Sequence, residues 1–191
     1  MVVDQIAGYL ELARPETVYT HDPADGHPHH IQVCQAVVDA VRRLPEAIRP
    51  KYVYGCEGWR SMDWIPPDLR ACFDVSGHEE LGMSLIQVYA TQDAGLLEGL
   101  VLRRRVNAAI VSQVTGVPLT SVINAVDLRP LIKDKEQDVL TFTAGLVGRF
   151  YASVAKLTHE SQEYWEILLS NPENPLSPFD FKTLDSQPLS S

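Results

Sequence analysis

Basic residues are in the minority: 16 Lys and Arg stand against 25 Asp and Glu among 191 residues, and the formal charge is −9 at pH 7. That excess excludes a sequence-independent grip on nucleic acid or on an anionic membrane surface. Cysteine is scarce too. Cys34, Cys56 and Cys72 are odd in number and widely spaced in apolar runs, which gives no disulfide framework and reads as buried thiols in a reducing compartment. No apolar run reaches the roughly 20 residues of a membrane span. The N-terminal Met-Val-Val-Asp-Gln lacks the basic region and apolar stretch of an export signal. These absences point to a cytoplasmic protein with small molecules or proteins as partners. A Ser nucleophile elbow, a glycine-rich phosphate loop, a Cys/His zinc ribbon and internal repeats are missing as well.

What is present is an ordinary globular composition, 45% hydrophobic and 21% charged, at a length that buries a core without a disulfide or metal staple. Val2, Val3, Ile6, Leu10 and Leu12 recur at roughly helical spacing, so the chain opens almost inside a helix. Thr17 to Thr20 is short and β-prone. After it comes a polar cluster, His21-Asp22-Pro23-Ala24-Asp25-Gly26-His27-Pro28-His29-His30. From Pro28 to Leu44, Ile31, Cys34, Val37, Val38, Val41 and Leu44 fall on one helical face, and Pro28 suits a first turn. Lys51 to Tyr54 and Ala71 to Val75 read as strands, separated by an aromatic, turn-rich loop. Helices are predicted after Ser76 as an N-cap, over about Leu96 to Ile110, and from about Lys135 to Ile167. The alternation of elements is that of an α/β protein with a parallel sheet flanked by helices, whose chemistry sits at the carboxyl ends of the strands. Residues 1–169 form the expected domain and 170–191, rich in Pro, Ser and Asn, an irregular tail.

The polar cluster lies at one of those strand ends. Four of the six histidines fall within ten residues of one another, beside Asp22 and Asp25. His27 and His30, three apart, point the same way from a first helical turn. The positive end of the helix dipole disfavours imidazolium there, which keeps the ring neutral and available to a metal. Two readings remain open: a solvated loop whose histidines cap a helix, or a divalent-metal site using His and Asp. His78 and His159 read as surface or capping residues.

Val18 to His30, with the segments Val53 to Arg60, Asp63-Trp64, Phe73 to Ser76, Arg103 to Ala108 and Asp127 to Leu131, resembles the LmbE-like or PIG-L family of zinc-dependent N-deacetylases, over roughly residues 1–155. The resemblance implies a Rossmann-like domain that hydrolyses the acetamide of an N-acetylated sugar. It makes His30 a zinc ligand, His27 a stabiliser of the oxyanion, and an aspartate the acceptor of the water proton. Asp25 is counted with His27 among the catalytic residues as a carboxylate that orients an imidazole. Arg105 and Asn107 are candidates to contact a sugar or phosphate, and the alternative reading of the three consecutive arginines is a solvated helix face. Two departures accompany it: the Asp of the His-Pro-Asp-His motif is His29 here, and no Ala-His-Pro-Asp-Asp motif, source of the other zinc ligands and the general base, occurs in the chain. That absence, with the start inside a helix, leads to the expectation that an N-terminal strand-helix unit is lacking.

Three functions follow. The first is the C-terminal part of a zinc N-deacetylase for an N-acetylglucosaminyl-type substrate, inactive without a complementing N-terminal polypeptide. The second is a degenerate relative that binds a sugar or a protein, or self-associates, through the face left uncovered. The third is an independent metallohydrolase built on the cluster from His21 to His30 alone.

Overall fold

The computed structural model describes residues 2–88 and 94–170. The chain divides into two compact units, residues 1–147 and 148–191. The elements of the first are α1 (Val2–Ala13), β1 (Thr17–His21), α2 (Pro28–Arg43), β2 (Tyr52–Cys56), β3 (Arg70–Asp74), α3 (Glu79–Gln87), α4 (Ala94–Thr115), β4 (Val122–Asp127), α5 (Arg129–Lys133) and the start of α6 (Val139–Ser170). The second unit holds the remainder of α6, braced on its surface by a Lys156–Glu160 pair one turn apart. From residue 171 on, the expected tail lies outside the described residues.

The α2 helix forms where its periodicity places it. Pro28 occupies the first turn, where a missing N–H costs nothing, and Arg42 and Arg43 sit in the last turn, where cations favour the dipole. Its apolar stripe buries Cys34, Val37, Val38 and Val41 against Val53 and Val126 of the sheet and Leu128, Leu131, Phe142 and Leu146 beyond it. Ile6 and Leu10 of α1 close the same core, whereas Tyr9 and Leu12 face outward. The period of two in β1 and β2 explains the division of the sheet. Val18 pairs with Val53 on the core side, and Tyr19 with Tyr54 on the other, where their rings stack and Phe73 meets both edge-on.

The sheet is mixed, in the order β1-β2-β4-β3, which corrects the expected parallel, Rossmann-like arrangement. Only β1 and β2 are parallel neighbours; β4 runs antiparallel to both β2 and β3. The strand responsible, Val122–Asp127, is short and largely buried on both faces, so it carries no alternation by which to recognise it. Three further expectations are corrected. The helix expected from Lys135 starts at Val139, and α5, introduced by Pro130, precedes it as a separate turn of helix. Ser76 caps nothing: its Oγ accepts from Thr120 N (2.9 Å) and Ser121 N (3.2 Å) and so ties β3 to the approach to β4. Of the three free cysteines, Cys34 is buried, Cys56 half-buried and Cys72 exposed. Among the described residues no helix is long and apolar enough to cross a membrane.

One side chain holds the α5–α6 connection to α2. Arg42 Nη2 donates to the carbonyls of Leu131, Asp134 (2.7 Å) and Gln137 (2.7 Å). Arg42→Met leaves these acceptors without their charged donor, at a cost of roughly 2 kcal/mol. Urea denaturation is expected to show that loss, and a midpoint equal to wild type would refute the clamp.

Candidate metal centre and cleft

Because β1, β2 and β3 share one direction and β4 opposes them, the carboxyl ends of three strands and the amino end of the fourth meet on one side of the sheet. Around that side lies a cleft of about 970 Å³, whose walls include His21 and His30, Glu57 to Trp59 and Ser121. This is the end at which open α/β sheets assemble ligand sites.

The β1–α2 loop is organised by Asp25, whose side chain is fully buried. Its Oδ1 accepts from His27 N (2.8 Å) and lies 3.1 Å from His30 Nδ1; its Oδ2 accepts from Trp59 N (3.1 Å). With Asp25 as acceptor, His30 Nδ1 carries the proton and Nε2 is left free. The His21 and His30 rings stack, with centroids 3.9 Å apart and planes within 4°. Burial lowers the His21 pKa, the charge of His30 lowers it further, and Asp25 opposes both. His21 is therefore held neutral. One ligand atom from each of His21, Asp25 and His30 lies within 4.8 Å of the others, a cluster able to hold a metal ion.

Two glycines make the arrangement possible. A Cβ at Gly58 would stand 2.5 Å from Asp25 Oδ2, and one at Gly55 would stand 3.0 Å from the Asp22 Cα and 3.1 Å from the His21 carbonyl. Any side chain at either position displaces the loop that carries the cluster. Asp22 is buried beside it, and burial pushes its carboxyl up to about 7, with Ala24 N opposing and the charge of Asp25 adding.

The other expected residues are distributed as follows. His27 is the N-cap of α2, its Nδ1 accepting from His29 N at 3.3 Å, with its ring 4.8 Å from that of His30. Asn107 is buried and donates to Glu57 Oε1 (2.6 Å) and Val122 O (3.2 Å), so it holds a cleft residue and not a ligand. Arg105 is exposed on α4. The guanidinium that lines the cleft is that of its neighbour Arg104, while Arg103 donates to the carbonyls of Gly58 and Trp59. Sequence reasoning set His21 within the candidate cluster without singling it out as the partner of His30, and it missed Glu57 and Arg104. The signal for His21 was its place as the last residue of a strand; for the other two there was none.

No known protein family matches the chain, and no curated protein matches it. Among solved structures, GalB, the 4-carboxy-2-hydroxymuconate hydratase from Pseudomonas putida KT2440, is similar at 17% identity and a TM-score of 0.49, over 66% of this chain and 57% of that one. A likeness of that size carries no activity across. The chain spans little more than half the length of that protein. The resemblance to the LmbE-like or PIG-L deacetylases is overturned, since no such family matches the chain. The N-deacetylase activity on an N-acetylglucosaminyl substrate falls with it, and so does the degenerate sugar-binding relative. The physical reason is that a His-Pro-x-His run at the junction of a strand and a helix meets local needs: a capping side chain, a first-turn Pro and a residue facing back to the strand.

Two predictions follow from this geometry. Gly58→Ala drives the new methyl into Asp25 and breaks the Trp59 N–H bond, at a cost of roughly 1–3 kcal/mol. Thermal unfolding at or above the wild-type midpoint would show that the contact is not needed. Burial raises the Glu57 pKa, against the Asn124 N–H and the charge of Arg103, which lower it. The folded chain thus keeps a proton that the unfolded chain releases, so ionised Glu57 costs stability above the folded pKa and costs nothing below the unfolded one. Glu57→Gln retains the Oε1 acceptor, and its midpoint at pH 8 is expected to rise by about 2–4 °C over wild type, a difference that disappears towards pH 4. A difference independent of pH would contradict it.

Proposed function

We propose that the chain is a divalent-metal-binding domain of the water-activating type, with zinc as its ion. The observation that carries this reading is the convergence of His21, Asp25 and His30 at the cleft wall, within 4.8 Å of one another. The donor set fits the ion. Two imidazoles, one of them backed by a buried carboxylate, suit zinc, and burial, which lowers the His21 pKa, lessens the competition of a proton there. Buried Asp22 Oδ2 and Thr20 Oγ1, which have no hydrogen-bond partner among the described residues, add polar groups at the same strand end.

In this reading His21 and His30 are the ligands. Asp25 stands behind His30, as carboxylates commonly do behind metal-binding imidazoles, fixing its tautomer and orientation. The oxyanion role expected of His27 becomes a positioning role, since His27 ends the loop at the N-terminus of α2, while Asp25 holds the ring of His30. A bound zinc ion supplies a Lewis acid that polarises a substrate oxygen and acidifies water. The chain's own residues provide the cleft that admits the substrate and a half-buried Glu57 that lines it. Free thiols at Cys34, Cys56 and Cys72 support the cytoplasmic setting.

Zinc titration by calorimetry is expected to give one site per chain. His21→Ala and His30→Ala should each abolish it, and Asp25→Asn should weaken it by about 10–100-fold. Binding unchanged by His30→Ala would exclude the centre.

A further inference from the structure

The cleft also specifies what it takes. Its walls are mostly apolar, and several of their side chains stand open: Leu81 is 57% exposed, Leu85 58%, Val33 44% and Trp59 52%. Exposed apolar surface gathered in one concavity, with a few polar groups, is the form of a small-molecule site.

Its charged groups are unequally engaged. Arg103 is spent on the carbonyls of Gly58 and Trp59, and Glu79 accepts from Thr120 Oγ1. Glu57 Oε1 is taken by Asn107 and by Asn124 N. Arg104 differs: among the described residues its guanidinium makes no hydrogen bond and no ion pair, although it is half-buried on the cleft wall. It reaches that position through a gap in α3, since a Cβ at Gly82 would stand 3.3 Å from Arg104 Nη1. A half-buried guanidinium with its fork unengaged is set for a planar anion.

We propose that the cleft binds an organic acid, its carboxylate paired with Arg104 and its apolar body laid against Leu81, Leu85 and Trp59. This names the ligand class of the site described above, and it rests on the metal reading only in that an oxygen elsewhere on the acid would face His21 and His30. The apolar walls exclude a densely hydroxylated ligand, whose hydroxyls would lose their water without replacement partners. They equally disfavour a bare inorganic anion, which would leave the leucines uncovered.

Calorimetry with 3-phenylpropanoate and its neutral amide, on the zinc-loaded protein, tests the proposal. The acid is expected to bind about tenfold more tightly than the amide. Arg104→Met should erase that ratio, and Arg104→Lys should restore part of it. Circular dichroism identifies a variant that has failed to fold, and Arg104→Gln then replaces it. Equal affinity for acid and amide, tighter binding of inorganic phosphate than of the acid, or a preference that survives in Arg104→Met would each overturn the proposal. His30→Ala separates the two readings. Loss of zinc with the acid-to-amide ratio intact supports both, whereas an intact ratio in a protein that never bound zinc sinks the metal centre alone.

Discussion

The buried carboxylate of Asp25 is the constraint on which the site depends. A charge removed from water must be met by donors, and here three answer: the N–H at the start of α2, the imidazole of His30 and the N–H of Trp59. These donors come from a loop, a helix and a segment that follows a different strand. Satisfying one side chain therefore fixes all three pieces relative to one another. The requirement explains Gly58, whose missing side chain is the space in which the carboxylate lies. It also explains why His30 presents one ring nitrogen only.

A second set of contacts braces the β2 loop from the opposite side. Asn107 and Asn124 N hold Glu57 Oε1, and Arg103 holds the two carbonyls that follow. The Glu57-Gly58-Trp59 turn is thus gripped by α4 and β4 on one side and by Asp25 on the other. A turn pinned in this way suits a site that must keep the His30 imidazole in place without the help of a sheet ladder. The aromatic surface of Tyr19, Tyr54 and Phe73, by contrast, is stacked and edge-packed within the sheet.

Elements with a strong local period were legible in the sequence. α2 lies within a residue of its expected end, and β1, β2 and β3 each lie within one or two residues of their expected bounds, because one-sided burial writes itself into the residue pattern. β4 was illegible because its middle is buried on both faces, and with it went the mixed character of the sheet. The cluster from His21 to His30 stood out by composition, and His27 and Asp25 were visible as chemistry-bearing residues. Their roles were not, since a cap and a ligand use the same residue types at the same spacing. Asn107 looked like a substrate contact because an Asn on a helix near arginines gives no sign of being buried against a glutamate. Arg104 and Arg105 are equivalent in sequence; only the rotation of α4 separates the cleft residue from the solvent-facing one.

The antiparallel β4 does not weaken the case for a site at this end of the sheet; it completes it. In a sheet with one direction, every loop at the ligand-binding end would leave a strand. Here the central position belongs to a strand that arrives, so Ser121 and the Val122 carbonyl enter the cleft wall from the chain before β4. That arrival brings α4 directly behind the site. Asn107, which ties the Val122 carbonyl to Glu57, could not reach both if β4 left the sheet at this end, because α4 would then be followed by a crossover. The reversal that hid the fold from sequence reasoning is thus the feature that sets Arg103 and Asn107 against the Glu57-Gly58-Trp59 turn and Arg104 on the wall of the cleft that His21 and His30 also line.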